Sequence, residues 1–516
     1  MPLVPVALLF ALGLIVWLVR HRAERVVWAV SVGGQWLVWL SLIALRGSVP
    51  SELQFSVWRP LELFQTPLVL KLDVVGWTMA FAIATLLLAI GLTSAARQGS
   101  ATPLTRMFLS TYGALCMAAV MAGNLLTMAV IWATMEVVAF ASSILLVARR
   151  DIIPREIVRL GVQGTSVVLV LAAAVLLGDG TSAAAPGMEV WAYSVGLAAV
   201  ALRIGLFPAH YPLPSLPGIR RGLGTSLRLL PAAMATVLLV RLAQGSPPQP
   251  VLTAMAWLGG LAAVGSGLSW AFHGDPVERR PILVLGLVAA AMCGAGLARD
   301  AAPSVAAGSA TLVLVGGMVS LAEPHEDWHR FWVLAAAFLV LGGPLSPGQA
   351  EITSLVHGVS AGGAGVAAIL GLVGLLFLTL GILRQFDGQV TPWGSGEDLV
   401  RTSYVVGVLL PLVSGAAIAI VTGLFPSLRS IAAFSALAGA SALLYYAYAR
   451  AGARLRGVLL TQLGSLKWPA IPVEVDLKSA SPLRALVWIG NLLQGDAGLL
   501  WILFFLLVLA AIAGRG

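Results

Sequence analysis

The sequence predicts an all-α polytopic membrane protein, and three observations carry that prediction. Apolar runs of about 20 residues, the length of helix that crosses a bilayer, recur along the whole 516-residue chain. Of all residues, 59% are hydrophobic and only 10% are charged, and mean hydropathy is +0.95, the composition of a chain surrounded by lipid. Basic residues gather in alternate connections between the runs, as they do where they set topology. The short alternating segments of a membrane β-barrel are absent from the sequence.

Spans are read at about 3–19, 26–45, 74–96, 103–122, 125–148, 157–178, 190–210, 224–242, 252–272, 280–298, 303–322, 331–357, 362–384, 402–424, 431–449 and 497–513. No small-residue cleavage site follows the first, so it is expected to stay as a helix and not to be removed as a signal peptide. Arg20, Arg22 and Arg25 follow the first span, Arg97 and Arg106 the third, Arg149, Arg150 and Arg155 the fifth. Arg220 and Arg221 follow the seventh, Arg279 and Arg280 the ninth. This puts the odd-numbered connections in the cytoplasm and the N-terminus outside. The net charge of +9 is thereby spent on topology and points to no nucleic-acid partner. In the external segment 46–73, PLVLKLDVV begins an alternation that fits a short strand.

Two spans are interrupted. The seventh runs into LFPAHYPLPSLPG, with four prolines from Pro208 to Pro217, and the twelfth contains GGPLSPGQAE, with Pro344 and Pro347. Proline removes a backbone donor and clashes with the preceding turn, so both helices are expected to break. Broken helices in a bilayer are buried in protein or line a polar cavity, and a corresponding pair of them marks an inverted repeat. The expected organisation is residues 1–102 as N-terminal helices with an external loop and 103–242 as the first five-helix repeat. Residues 252–384 form the second repeat, 385–449 two further helices, and 450–516 a surface segment with a final helix. Arg454, Arg456, Lys467 and Lys478 make the start of that last part too polar to span, which suits a membrane surface.

Few polar residues lie within the membrane. Glu136 stands near the middle of the fifth span, where a charged centre costs roughly 2.5–3.5 kcal/mol on insertion scales. It is read as a functional carboxyl or as a protonated group that packs helices. Arg203 and His210 bracket the seventh break; the arginine needs a counter-ion, for which Glu136 is the candidate, and the histidine either shuttles protons or caps the broken helix. Arg159 and Arg228 either belong to the same path or snorkel to the cytoplasmic interface. Glu351 and His357 follow the twelfth break; Glu351 is an exit-side proton carrier or the residue that caps the second half-helix. Asp73 stands at the mouth of the third span.

Only Lys71, Lys467 and Lys478 are lysines among 31 basic residues, so none lies between residues 72 and 466. Lysine can lose its proton when buried whereas arginine effectively cannot, and a proton path through this core cannot use lysine. Cys116 and Cys293 fall inside spans and read as small buried hydrophobes. No nucleotide loop, HExxH or cysteine cluster is present, so no cofactor, metal or active site of the chain's own is expected.

These segments resemble the antiporter-like, proton-conducting membrane subunits of respiratory complex I, which Mrp-type antiporters and membrane-bound hydrogenases share. The likeness covers roughly residues 65–430. LVLKLDVVGWTMAF is similar to the opening of that family's third helix, and NLLTMAVIWATMEVVAFASSILLV to its fifth, with Glu136 at the key glutamate. RIGLFPAHYPLP resembles the broken seventh helix, GGPLSPGQAEI the break of the twelfth, and GLFPSLR the end of the fourteenth. The resemblance implies about fourteen core helices in two inverted five-helix repeats, with extra C-terminal helices. It implies proton or Na+/H+ translocation driven by redox chemistry in partner subunits. Departures are visible: Arg203 occupies the lysine position of the seventh helix, Ala233 falls near the eighth-helix lysine, and only Ser309 and Thr311 are polar in the eleventh.

Two functions compete. In one, protons enter near Glu136, pass His210 and leave by Glu351 or His357, within a complex whose other membrane subunits and soluble redox module supply energy. In the other, the chain is a docking subunit with a decayed path, or the membrane component of an inorganic-carbon uptake complex with a hydratase-like partner. A stand-alone transporter of inverted-repeat design is a third reading. The expected location is the inner membrane of a prokaryote.

Overall fold

A computed structural model of the chain describes residues 1–55, 67–96, 102–147, 153–177, 188–206, 221–273, 279–298, 302–322, 329–360, 364–387 and 398–450. Among these residues lie sixteen α-helices and one two-stranded sheet. In order they are α1 (Leu3–Leu18), α2 (Glu24–Leu45), β1 (Ser51–Phe55), β2 (Leu68–Leu72), α3 (Val74–Thr93), α4 (Pro103–Val120), α5 (Leu125–Val147) and α6 (Ile153–Leu176). Then follow α7 (Glu189–Ile204), α8 (Arg221–Gln244), α9 (Gln249–Phe272), α10 (Arg280–Leu297), α11 (Ala302–Leu321) and α12 (His329–Val340). The last are α13 (Gly348–Val359), α14 (Gly365–Leu383), α15 (Asp398–Val421) and α16 (Leu428–Arg450). Ten helices are long and apolar enough to cross a membrane. The protein is an all-α, multi-pass membrane protein.

The helices sort by how much of their surface they bury. α3 and α8 are buried almost all round, α3 apolar on nearly every face and α8 with Arg228 among its buried residues, and they form the centre. α5, α6 and α16 turn one side outward, with Val137, Leu145, Val168 and Leu443 exposed, which suits lipid as the neighbour. Cys116 and Cys293 are free thiols buried in α4 and α10.

The strand expected in PLVLKLDVV is β2, and it pairs antiparallel with β1, Leu53 opposite Leu70. β2 also binds the turn between α4 and α5: the Lys71 N–H donates to the Met121 carbonyl (2.6 Å) and the Gly123 N–H to the Val69 carbonyl (2.7 Å). The Val69 N–H donates to Thr127 Oγ1 at 2.8 Å. This seam fixes the start of α5, the helix that carries Glu136. Asp73 caps α3, its Oδ1 accepting from the Gly76 N–H at 2.7 Å, and its Oδ2 lies 3.5 Å from Arg241 Nη1 at the end of α8.

Both breaks differ in detail from the expectation drawn from proline. α7 stops at Ile204, ahead of Pro208, because Gly205 turns left-handed (φ 74°). The Leu206 N–H then reaches back to the Ala201 carbonyl at 2.8 Å, the bonding that closes a helix on a glycine. Residues 207–220, with His210 and the prolines, lie outside the described residues. The predicted twelfth span is two helices, α12 and α13. α12 ends on Gly342 (φ 66°), and the Gly343 N–H bonds the Phe338 carbonyl at 2.9 Å. Leu345 also adopts a left-handed conformation (φ 59°) in this connection. The predicted surface segment from 451 onward and the final span 497–513 lie outside the described residues.

Candidate functional site

α5 runs from the turn bound by β2, with Trp132 and Glu136 one turn apart on a single face. Both are buried; Glu136 is 3% exposed and Trp132 fully enclosed. α7 approaches that face with its last turn, which places Arg203 at the helix end beside Gly205. Arg203 is also fully enclosed. Its Nη2 lies 2.7 Å from Glu136 Oε1, and its guanidinium stacks over the Trp132 ring at 4.4 Å, where the ring quadrupole adds attraction.

α6 supplies the rest. Arg159 Nη1 donates to Glu136 Oε2 at 3.3 Å, and its Nε donates to Glu156 Oε2 at 2.8 Å. One turn further, Gln163 Nε2 donates to the Arg203 carbonyl, in the last turn of α7, at 3.2 Å. The result is a quartet of two carboxylates and two guanidiniums with no net charge. Such a group is tolerated in a low-dielectric interior because each charge has an opposite neighbour.

The quartet is not fully hydrogen-bonded. Among the described residues no acceptor meets Arg203 Nε or Nη1, Arg159 Nη2, or the Trp132 Nε1, and no donor meets Gln163 Oε1. The nearby Tyr112 hydroxyl on α4 is likewise buried and unpartnered among them.

The second acidic residue has a different setting. Glu351 lies in the first turn of α13, buried against Gly308 of α11 and Gly294 of α10. Its Oε1 has no hydrogen-bond partner among the described residues. Three residues on, Ser354 lines a cavity of about 370 Å³, together with Gln349, Thr353, His357, Leu297 and Phe425. Gln349 Nε2 holds one wall in place by donating to the Phe425 carbonyl (3.0 Å) and Ser430 Oγ (3.1 Å). His357 is exposed at the end of α13.

The residues singled out in the sequence therefore divide. Glu136, Arg203 and Arg159 come together; Glu351 and His357 belong to α13, apart from them. Arg159 does not snorkel: it turns inward because two carboxylates lie within reach. Arg228 is buried in α8. Asp73 serves as a helix cap and as a partner of Arg241. Glu156, Trp132, Gln163 and Tyr112 went unmarked in the sequence. The first three had a signal, since Glu156, Arg159 and Gln163 are spaced at i, i+3 and i+7, and Trp132 and Glu136 at i, i+4. Among the described residues no three His, Cys, Asp or Glu side chains gather where they could hold a metal ion.

No family model and no curated protein matches the chain. Solved structures do. A chain of the Mrp complex from Dietzia sp. superposes with TM-score 0.69 at 15% identity, over 100% of this chain and 63% of that one. A chain of the membrane-bound sulfane sulfur reductase, an archaeal respiratory membrane complex, gives TM-score 0.65 at 15% identity over 99% of each chain. A chain of respiratory complex I from Thermus thermophilus gives 0.63 at 17% identity, over 86% of this chain and 100% of that one. The chain thus has the fold of membrane subunits from these three kinds of complex. It spans 63% of the length of the Mrp chain.

Proposed function

We propose that the chain is a proton-translocating membrane subunit of a multi-subunit complex of the respiratory or hydrogenase kind, driven by redox chemistry in a partner module. The observation that carries this reading is Glu136, held deep in the helix bundle between Arg203 and Arg159 at the end of a broken helix. A buried charge cluster is a poor way to stabilise a protein, since apolar residues of equal volume commonly do as well or better. Ionisable groups kept inside a membrane despite their cost mark ion pathways. The likeness of fold to subunits of Mrp, sulfane sulfur reductase and complex I supports the same reading, as does Glu351 beside the second break.

The chemistry follows from the residue types. The two arginines keep their protons, so proton exchange falls to the carboxyls. Glu136 is the carboxyl that faces both arginines, and on this reading it is the group that exchanges the proton. The ion moved is a proton on this account, and the setting is a prokaryotic plasma membrane with the N-terminus outside.

The second reading, a docking subunit, draws on the same cluster: both cations are arginines, and a locked quartet would only brace three helices. Reconstitution separates the two. The full-length protein, with the subunits that co-purify, is placed in liposomes loaded with a pH-sensitive dye, and a potassium diffusion potential is applied. Proton uptake that is lost when Glu136→Gln and Arg203→Gln are combined, with assembly intact, supports translocation. Equal uptake by that variant and the wild type would leave the docking reading.

A further inference from the structure

We infer that Gly294 is the opening through which Glu351 exchanges its proton with water in the cavity on α13. The inference rests on the proton-moving reading above and adds a residue and a space to it.

α10 carries three glycines, Gly286, Gly294 and Gly296. Glycine inside a helix costs stability relative to alanine, so each needs a reason. Packing supplies it for two of them. A methyl at Gly286 would come within 2.6 Å of Leu378 Cδ2, and one at Gly296 within 2.6 Å of the Ala256 nitrogen. Gly294 is different. A methyl there would meet Glu351 Cγ at 3.8 Å and Ser354 Cβ at 3.9 Å, and nothing nearer among the described residues. Both are ordinary contact distances, so alanine would fit. The glycine leaves a space the size of a methyl group, close to the ~30 Å³ that one water takes up in the liquid, and Glu351 borders it.

The same space borders the cavity. Ser354 is one of the residues that line it, with Thr353 and His357 on the same helix. At about 370 Å³ the cavity has room for on the order of ten waters, and polar groups to hold them. Ser354 donates its hydroxyl proton to the Ala350 carbonyl at 3.0 Å, which leaves its oxygen free to accept from water. Glu351 Oε1 is buried and meets no donor among the described residues. Its carboxyl continues from the Cγ that borders the space, so a water at Gly294 lies within its reach.

With a water there, the Glu351 carboxylic acid gives its proton to that water, and the water passes one on to the cavity. The carboxylate regains a proton by the reverse route. Gly294 and Ser354 are positioning residues in this exchange, since neither supplies the proton that moves. His357 lines the cavity at the exposed end of α13, which puts the mouth at that end.

Labelling tests the access. In protein with Cys116 and Cys293 replaced by alanine, Ser354→Cys is expected to react with a charged, membrane-impermeant thiol reagent. Val168→Cys, exposed on α6, is expected to resist it as a lipid-facing thiol. No reaction of Ser354→Cys overturns the aqueous cavity, and the inference with it, whatever the flux. The liposome assay tests the opening, with Gly294→Ala and Gly294→Ser beside Glu136→Gln/Arg203→Gln. Gly294→Ala should keep assembly and thermal midpoint but lower proton flux about 10²-fold, the lower end for a lost proton-transfer group. Serine fills more of the space yet brings a hydroxyl, and should recover part of the flux; a merely steric effect would put serine below alanine. Wild-type flux in both Gly294 variants, with none in the Glu136/Arg203 variant, overturns the role of Gly294 and leaves the translocation reading standing. Wild-type flux in all three variants overturns both.

Discussion

Glu136 and Glu351 are both buried carboxyls near a helix end, yet their surroundings are opposite. Glu136 is held by two arginines, and one of those is held by a second carboxylate. Glu351 has glycines for neighbours, and its Oε1 has no partner among the described residues. The difference separates two ways of keeping an acid in an apolar bundle. One compensates the charge with permanent cations. The other packs the carboxyl among glycines, one turn from a cavity.

The largest expected effect is on stability. Glu136→Gln leaves Arg203 without a counter-charge, and removing one partner of a buried pair costs about 3–5 kcal/mol. Thermal unfolding in detergent should show a clear fall, mostly recovered when Arg203→Gln is added. Glu351→Gln should change stability by less than about 1 kcal/mol, because no cation is left behind. Equal losses in Glu136→Gln and Glu351→Gln would erase the contrast.

Next come the helix ends. Gly342→Ala forces a left-handed alanine, about 1–2 kcal/mol. It also brings a methyl to 2.9 Å from the Gly348 carbonyl and 3.0 Å from Gln349 Cα. Gly423 (φ 73°) ends α15 with open space where its Cβ would go, so Gly423→Ala should cost the strain alone. A larger loss at Gly423 than at Gly342 would mean that the second break is looser than its packing indicates.

Arg203→Lys keeps the charge but gives up the flat stack on Trp132, worth roughly 1–2 kcal/mol in a desolvated site; the midpoint should drop by a correspondingly smaller amount than in Glu136→Gln. Smallest is Asp73→Asn. Asparagine still caps a helix, and the partly exposed contact with Arg241 is worth under about 1 kcal/mol. A large loss there would make the seam between Asp73 of α3 and Arg241 of α8 more important than the quartet.

Much of the fold was legible because lipid leaves a helix few choices: among the described residues, every apolar run of bilayer length from 3 to 449 forms a helix, or in the case of 331–357 two helices. The Glu136–Arg203 contact was legible for a related reason, since two opposite charges deep in apolar sequence each need a partner. Glu156 carried no mark, and Arg159 stood open between the path and the interface, because charges near the start of α6 lie close to a span end. Only the packing of α5 on α6 turns them inward. Tyr112 carried no mark either; an aromatic in an apolar run usually fills core, and only its unpartnered hydroxyl sets it apart. At α7 the prolines drew attention from Gly205, whose left-handed turn ends the helix first.

The most direct measurement is proton uptake by dye-loaded liposomes under an imposed potential, comparing wild type with the combined Glu136→Gln/Arg203→Gln variant at equal protein. The account predicts uptake by the wild type and at least about a hundred-fold less by the variant, with the same subunits co-purifying in both. Equal uptake, or none in either, would contradict a proton path through the quartet.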